Sequence, residues 1–252
     1  MTGILPVSKW VSGAAVTLER QLFTAGGKTF NYAAFRYAAK YDKEINKWKV
    51  LPRLTSNRND VPCVFILGTH LYVAGGRDGN GFLSSMEYLN INDNSSVWTA
   101  SVSLPYEEIY TSCVMFNSTV ILAGGFTLPN DYLSSVITWK EGNATWTTLK
   151  PMQQKQGIHC MVSDGIRFLY VVGRFYGRNL KSIKKYDSET NTWKYLCPMP
   201  EVLYGHRCVY LKDTVIVTGG LDGFDGVNTI YLYKVILGPN HPLYYRKLFT
   251  HT

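Results

Sequence analysis

Lys28 and Thr29 follow two glycines in a stretch that comes close to the phosphate-binding loop of nucleotide-binding proteins. It reads Ala25-Gly26-Gly27-Lys28-Thr29. A phosphate-binding loop also needs a glycine five residues before Gly27 and a helix after Thr29. Leu22 stands at the first of these positions, and strand-forming residues follow the second. The stretch is therefore interpreted as structural punctuation, and no cofactor is predicted.

Cysteine and histidine are the other residue types here that could do chemistry. The five cysteines form no Cys-x-x-Cys pair, and His70, His159 and His206 do not have the spacing of metal ligands. No metal site is predicted, and His159 and His206 are expected to have structural hydrogen-bonding roles. A catalytic site built from distant loops is the remote alternative, and the chain is expected not to be an enzyme.

Charge and hydropathy narrow the class of partner. Of the 252 residues 17% are charged, the formal net charge is +8, and no five like charges are consecutive. This mild basic excess is typical of a soluble domain without a nucleic-acid partner. Apolar stretches are far shorter than the ~20 residues of a membrane span, and the N-terminus lacks a signal-peptide pattern. We expect no membrane partner and a cytoplasmic location, with the nucleus as a second one.

Five apolar runs end in the same way, with Gly-Gly in four cases and Gly173-Arg174 in the fourth copy. The first glycines of these pairs are 49, 49, 49 and 46 residues apart, at Gly26, Gly75, Gly124, Gly173 and Gly219. Glycine suits a strand end where the chain turns sharply, because it tolerates positive φ. Self-similarity at this period predicts a propeller or a related repeat architecture.

Three further landmarks recur in a constant order. A tryptophan follows each of the first four glycines by 22, 23, 22 and 20 residues, at Trp48, Trp98, Trp146 and Trp193. An aromatic residue precedes it, at Tyr41, Tyr88, Trp139 and Tyr186, with Tyr233 in the fifth copy, where Tyr244 or Tyr245 stands in for the tryptophan. A cysteine precedes four glycines, at Cys63, Cys113, Cys160 and Cys208. These cysteines are predicted to be buried free thiols, as in a reducing compartment.

Each copy has four short apolar runs separated by turn residues, which predicts the four strands of a propeller blade. One blade cannot bury both faces, so the copies are expected to stack around an axis. Each tryptophan is expected to fill the wedge between blades while its indole N–H donates to a carbonyl. Residues 33–41 look helical by propensity, but the repeat register aligns Tyr41 with Tyr88 and predicts a third strand there.

A Pro-Met pair follows the tryptophan at Pro151-Met152 and Pro198-Met199. Gly-Gly, an aromatic residue, Trp and then Pro-Met, at about 50 residues, resemble the Kelch repeat over residues 11–249. The predicted fold class is an all-β Kelch β-propeller of four-stranded antiparallel blades. One domain over residues 1–252 is expected, with five blades at about 11–52, 60–105, 110–152, 157–200 and 205–250. The BTB–Kelch group usually carries six blades, and Leu5-Pro6 resembles the end of a preceding strand. A six-bladed propeller with one blade outside this chain therefore stays open.

The resemblance implies a protein-binding module rather than an enzyme. Intracellular propellers of this group often form the substrate-recognition half of a cullin-3 ubiquitin ligase adaptor, whose BTB domain binds the cullin. We therefore expect a protein or peptide substrate, a cullin-3 ligase reached through a BTB domain outside this chain, and a monomeric isolated domain. An actin-associated cytoskeletal scaffold is the alternative, and a Kelch-like propeller enzyme is the remote one.

Blade topology selects a candidate binding face. When strands a to d run from the inside to the outside of a blade, the b–c and d–a loops emerge on the same face, where binding residues concentrate. Tyrosine and arginine dominate interface hot spots. The candidate partner-binding residues on these loops are Tyr32, Arg36, Arg58, Arg77, Phe82, Tyr106, Tyr110, Phe126, Tyr132, Arg174, Tyr176, Arg178, Tyr204, His206 and Phe224. Acidic residues share the face, at Glu107, Glu108, Asp131, Asp222 and Asp225, so a peptide of mixed charge is expected.

Overall fold

The structure, a computed structural model, describes the chain in ten segments separated by short gaps. These segments are residues 14–18, 21–27, 36–59, 61–129, 131–173, 181–203, 205–222, 225–227, 229–235 and 245–249. Their regular structure consists of 24 strands. None of the residues in these segments forms a helix long and apolar enough to cross a membrane.

Twenty of the strands form five four-stranded antiparallel sheets. Blade 1 contains β1 (Ala14–Leu18), β2 (Gln21–Ala25), β3 (Ala38–Asp42) and β4 (Lys47–Val50). Blade 2 contains β5 (Cys63–Leu67), β6 (His70–Ala74), β7 (Met86–Asn90) and β8 (Thr99–Ala100). Blade 3 contains β9 (Ser112–Phe116), β10 (Thr119–Ala123), β13 (Val136–Trp139) and β14 (Thr147–Thr148).

Blade 4 contains β15 (Cys160–Ser163), β16 (Phe168–Val172), β17 (Ile183–Asp187) and β18 (Thr192–Tyr195). Blade 5 contains β19 (Arg207–Leu211), β20 (Thr214–Thr218), β23 (Thr229–Lys234) and β24 (Tyr245–Phe249). Two small hairpins occupy b–c loops: β11 (Phe126–Thr127) with β12 (Asp131–Tyr132), and β21 (Leu221–Asp222) with β22 (Asp225–Gly226). The prediction of an all-β, five-bladed propeller is confirmed.

The glycine pairs of blades 1 to 3 are hydrogen-bonded to the loop that enters the next blade. Gly75 and Gly76 have φ angles of 66° and 92°, a region that favours glycine. The N–H of Gly76 donates to the carbonyl of Glu108 at 3.0 Å, and that of Gly27 donates to the carbonyl of Arg58 at 2.6 Å. A Cβ on Gly26 would lie 2.6 Å from the same Arg58 carbonyl. The pair is therefore needed for both its backbone angles and its close approach.

The tryptophans tie consecutive blades together as predicted. The indole N–H of Trp98 donates to the carbonyl of Pro52 at 2.8 Å, that of Trp146 to Val102 at 3.4 Å, and that of Trp193 to Lys150 at 2.9 Å. Each acceptor lies two residues beyond the fourth strand of the preceding blade. The three tryptophans therefore occupy rotationally equivalent places.

The alignment of Tyr41 with Tyr88 is wrong by one residue. Tyr41 pairs with Leu22, four residues before the first glycine, whereas the equivalent Leu71 of blade 2 pairs with Leu89. Successive residues of a strand point to opposite faces, so Tyr88 lies on the other side of its sheet from the place expected for it. The prediction that Tyr41 belongs to a third strand is confirmed. Tyr245 pairs with Tyr233 and takes the place of the fifth tryptophan.

Hydrophobic clusters lie between consecutive blades. Phe23 and Leu54 of blade 1, for example, share a cluster with Leu71 and Trp98 of blade 2. Comparable clusters join blades 2 and 3, 3 and 4, and 4 and 5. Full burial of one such large apolar side chain contributes about 1.5–3 kcal/mol. Each blade thus depends on its neighbours for a core.

Two of the four recurring cysteines are not free thiols, contrary to the prediction. The four also do not share one repeat position: Cys63 and Cys160 pair with the residue just before the first glycine, and Cys113 and Cys208 pair with the residue two before it. Cys160 and Cys208, on the inner strands of blades 4 and 5, form a disulfide whose Cα atoms are 5.9 Å apart. Cys63, Cys113 and Cys197 are free, with Cys63 buried. Inner strands of adjacent blades run side by side, and the offset of one residue between the two registers lets Cys160 and Cys208 face each other across the blade boundary. The prediction of a reducing compartment rested on four free thiols, and only Cys63 and Cys113 of these four cysteines are free.

Thiol labelling checks this pairing. The chain contains five cysteines, and three of them are free. Alkylation of the denatured protein without a reductant is therefore expected to add three labels, and alkylation after reduction to add five, as counted by mass spectrometry. A Cys160→Ser variant should give four labels in both conditions. Five labels on unreduced protein would show that the disulfide is absent.

Candidate partner-binding face

Four predicted residues meet on the b–c loops of blades 2 and 3 and form what we call the aromatic ridge: Arg77, Phe82, Phe126 and Tyr132. Backbone bridges pair Arg77 with Phe82, and the β11–β12 hairpin pairs Phe126 with Tyr132. The ring centroids of Phe82 and Phe126 are 5.9 Å apart, and those of Phe126 and Tyr132 are 4.9 Å apart. The ridge therefore crosses the boundary between two blades.

The ridge residues are accessible, but unequally. Arg77 is exposed, and the three rings are half-buried. The guanidinium of Arg77 lies 5.9 Å from the centroid of Phe82, within the range of a cation–π interaction. Rings that pack against one another and remain partly exposed can bind a partner with little loss of conformational freedom.

Local interactions hold the ridge in place. The carboxylate of Asp78 accepts the backbone N–H groups of Asn80 at 2.7 Å and Gly81 at 3.0 Å, which closes the loop before Phe82. Gly157 lies under the ring of Tyr132, where a Cβ would be 2.7 Å from Tyr132 Cε1. Glycine at position 157 therefore lets this ring lie flat over the d–a loop.

Other candidates flank the ridge. Tyr106 is half-buried, and burial raises the pKa of its hydroxyl although a hydrogen bond with Ser135 acts in the opposite direction. Tyr110 is half-buried as well and has a φ of 57°. Lys155 and Asp131 form an exposed ion pair beside Tyr132. The charges around the ridge are therefore mixed in sign, as expected from the sequence.

Blade 1 adds one predicted residue and two that the sequence analysis missed. Arg36 is exposed. The guanidinium of Arg53, which is also exposed, lies 5.6 Å from the ring of Tyr37. Arg53 is the first residue of a d–a loop. Its contact with Tyr37 could not be predicted from their spacing in the sequence, because the two residues belong to different loops.

Arg58 is not a surface residue, so its prediction as a partner-binding residue is wrong. It is 1% exposed, and its Nε donates to Glu87 Oε1 at 2.8 Å. Its Nη1 donates to the carbonyls of Gly75 at 2.9 Å and Ser85 at 2.8 Å, and its Nη2 donates to Ser85 Oγ at 3.0 Å. Arg58 therefore ties the d–a loop to blade 2 from inside.

Glu108 is likewise buried rather than part of an acidic surface. It is 2% exposed, and its Oε1 has no hydrogen-bond partner among the described residues. Burial raises its pKa from the ordinary value of 4.5 to about 8, against the opposing effect of a hydrogen bond with Thr111. The side chain is therefore largely protonated at neutral pH.

Arg58 and Glu108 belong to one repeat position, whose next member is Gln156. Their carbonyls accept the N–H groups of Gly27, Gly76 and Gly125. The side chain of Gln156 contacts buried Lys184, with 2.5 Å between Lys184 Nζ and Gln156 Oε1. Glu87, Ile137 and Lys184 pair with the residue two before the glycine in blades 2, 3 and 4. The recurrence of these two positions from blade to blade was the sequence signal that could have predicted the burial of Arg58 and Glu108.

His206 is buried, so its prediction as a partner-binding residue is also wrong. It is 1% exposed, and its Nε2 lies 3.0 Å from the carbonyl of Val172, which confirms the structural hydrogen-bonding role. Burial lowers the pKa of His206, and it lowers that of His159 to about 3. Neither ring nitrogen of His159 has a hydrogen-bond partner in the described part of the chain, contrary to expectation.

Several predicted residues lie outside the described residues: Tyr32, Arg174, Tyr176, Arg178, Tyr204 and Phe224. Of the acidic residues predicted on this face, the side chains of Asp222 and Asp225 are also not described. Within the described segments, no three His, Cys, Asp or Glu side chains are grouped as metal ligands. Among the described residues, the candidate binding surface thus consists of the aromatic ridge with Arg36, Tyr106, Tyr110, Arg53 and Tyr37.

The sheets, glycine pairs and tryptophan bonds define a Kelch-type β-propeller, a protein-interaction fold. The family model of the KLHDC2/KLHL20/DRC7 Kelch-repeats domain matches residues 12–233, and the chain belongs to this family.

Kelch-like proteins are among its relatives. Kelch-like protein 35 of Mus musculus is 30% identical over 164 residues, which are 63% of this chain and 27% of that protein. Kelch-like protein 40 of Xenopus tropicalis is 24% identical over 213 residues, which are 81% of this chain and 34% of that protein. The chain thus spans about a third of the length of these curated relatives.

The solved structure of YjhT superposes with a TM-score of 0.80 and 14% identity, covering 97% of this chain and 86% of that chain. At this identity the likeness shows the fold alone.

Proposed function

We propose that this chain is the substrate-recognition propeller of a cullin-3 ubiquitin ligase adaptor and that it binds a peptide segment of its substrate across the aromatic ridge. The single observation that carries the binding part is the contiguous, half-buried row of Phe82, Phe126 and Tyr132 beside exposed Arg77. In this proposal a BTB domain outside the chain recruits the ligase, and the protein works in the cytoplasm or the nucleus.

The relatives support the ligase part only by their family. Kelch-like proteins match most of this chain over a region that is about a third of their own length. A propeller that holds a substrate for another enzyme needs an accessible surface and no catalytic group, and the ridge provides such a surface. Its mixed charges favour a substrate segment with apolar residues and charges of both signs rather than a uniformly acidic polymer.

Alanine at Arg77 and Phe82 together is expected to weaken substrate binding at least tenfold, since arginine and aromatic anchors carry most of the energy of an interface. Both side chains are at least partly exposed, so the thermal midpoint should change by no more than about 2 °C. The measurement is affinity capture from cell lysate followed by titration of the captured protein against the purified propeller.

The matched control is Ile166→Ala, because Ile166 is 80% exposed in a turn between the first two strands of blade 4, away from the ridge. Proteins that wild type and this control capture, and that the double variant loses, are candidate substrates. Equal affinity of the double variant for every captured protein would reject the ridge as the binding site.

The ligase part requires a separate measurement. The lifetime of a ridge-dependent substrate in cells that express the full-length protein is expected to increase when cullin-3 is depleted. An unchanged lifetime would reject the ligase role while leaving ridge binding intact, and it would favour the scaffold alternative.

A further inference from the structure

A groove of about 550 Å³ lies between blades 2 and 3 at the opposite end of the blades from the ridge. It is lined by the rings of His70, Tyr72, Tyr88 and Trp139 and by the side chain of Glu141. β6 begins at His70, and β13 ends at Trp139, two residues before Glu141. The ridge, in contrast, lies on the loops that follow β6 and precede β13.

The rings of the groove form a continuous aromatic wall. The centroid of Tyr72 is 5.6 Å from that of Tyr88 and 5.4 Å from that of Trp139. His70 and Tyr88 meet edge to face with 5.0 Å between their centroids. Aromatic faces carry negative electrostatic potential and attract cations.

Glu141 places a carboxylate at this wall. The hydroxyl of Tyr72 donates to Glu141 Oε1 at 2.6 Å, and His70 Nδ1 lies 2.7 Å from the same oxygen. The side chain of Glu141 is nevertheless 41% exposed. Tyr72 and Trp139 are 2% and 3% exposed, so they support the groove from behind. A bound cation would contact the Glu141 carboxylate and the half-buried rings of His70 and Tyr88, and aromatic faces of this kind attract ammonium groups.

Blade 4 fills the equivalent place with a cation of its own. Tyr72 pairs with Tyr88 in blade 2, and Tyr170 pairs with Lys185 at the same repeat position in blade 4. The Nζ of Lys185 lies 3.3 Å from the ring centroid of Phe168 and 6.0 Å from that of Tyr170. Blade 2 has Tyr88 where blade 4 has this lysine, and no described lysine or arginine lies over Tyr72, Tyr88 or Trp139.

We propose that the groove between blades 2 and 3 binds an organic ammonium group between the rings of His70 and Tyr88 and the Glu141 carboxylate. The cation is either a lysine side chain of a polypeptide or a free alkylammonium compound. This site is separate from the ridge, so the two proposals can fail independently.

Calorimetric titration of the intact chain distinguishes the sources of the cation. Three probes are used: a short neutral peptide with one central lysine, the same peptide with norleucine, and tetramethylammonium. The lysine peptide is expected to bind saturably and at least tenfold more tightly than the norleucine peptide. Tighter binding of the lysine peptide than of tetramethylammonium assigns a polypeptide side chain, and the reverse order assigns a free ammonium. Equal binding of the lysine and norleucine peptides, or no saturable binding of either cation, overturns the proposal.

Two variants locate the binding at the groove. Glu141→Gln removes the carboxylate charge, and Tyr88→Lys gives blade 2 the internal cation of blade 4; each is expected to weaken binding of the preferred probe at least tenfold. Glu44→Gln, a charge removal at an exposed turn of blade 1, and Phe82→Ala on the ridge should bind as wild type does. Unchanged binding by Glu141→Gln shows that the cation binds elsewhere, even if Tyr88→Lys does not fold.

Discussion

Replacement of Arg58 by alanine is expected to destabilise the propeller by about 3–5 kcal/mol, because it leaves the Glu87 carboxylate buried without its cation. The two side chains are 1% and 2% exposed. Among the described residues, Glu87 would keep only Thr55, whose N–H and hydroxyl each donate to Oε2 at 2.8 Å. For a domain of this size the thermal midpoint should fall by about 10 °C, measured by circular dichroism.

Two further variants make this prediction specific. Arg58→Gln combined with Glu87→Lys copies the Gln156 and Lys184 contact of the following pair of blades and should recover more than half of the lost stability, a coupling that a double-mutant cycle measures. Lys155→Ala breaks an ion pair whose side chains are 50% and 57% exposed, and should cost less than about 1 kcal/mol. Similar losses for Arg58→Ala and Lys155→Ala would contradict the burial argument.

The fold could be predicted from the sequence because the repeated residues meet local conformational requirements. Gly75 and Gly76 adopt positive φ, and Trp98 finds its carbonyl on the preceding blade, whatever the rest of the blade contains. Such requirements can be recognised from residue type and spacing. The register of Tyr88 could not be recognised in this way, because a slip of one residue exchanges the faces of a strand while leaving the spacing almost unchanged.

The candidate site was only partly predictable because exposure depends on partners distant in the chain. Arg58 and Arg77 both belong to loops on the same face. Arg58 is buried because it forms an ion pair with Glu87, whereas Arg77 is exposed. The disulfide poses the same problem, since Cys63 and Cys113 have the same two registers as Cys160 and Cys208, yet only Cys160 and Cys208 are joined. Differences between equivalent positions require the packing of side chains from neighbouring blades.

Burial of Glu108 makes the stability of the propeller depend on pH. Its pKa is about 8 in the folded chain against an ordinary 4.5, so the folded state holds a proton that the unfolded state releases. Stability from this group is complete below about pH 4.5 and is lost as the pH rises towards about 8. The side chain at position 108 cannot ionise in the Glu108→Gln variant. The free energy of unfolding of this variant, relative to that of wild type, should therefore increase by about 3 kcal/mol as the pH rises from about 5 to about 8.

The difference between the two unfolding free energies isolates Glu108, because every other titrating group, including buried His159 and Lys184, is present in both proteins. Glutamine is already the natural residue at the equivalent position 156, where its side chain is fully buried, so the change should be accommodated without new strain. Glu107→Gln is the matched control, since the neighbouring Glu107 is exposed. It should follow wild type at every pH in denaturant titrations. Parallel profiles for wild type and Glu108→Gln would mean that Glu108 is ionised and solvated in the folded protein, and that the loop between blades 2 and 3 is more open than its buried position implies.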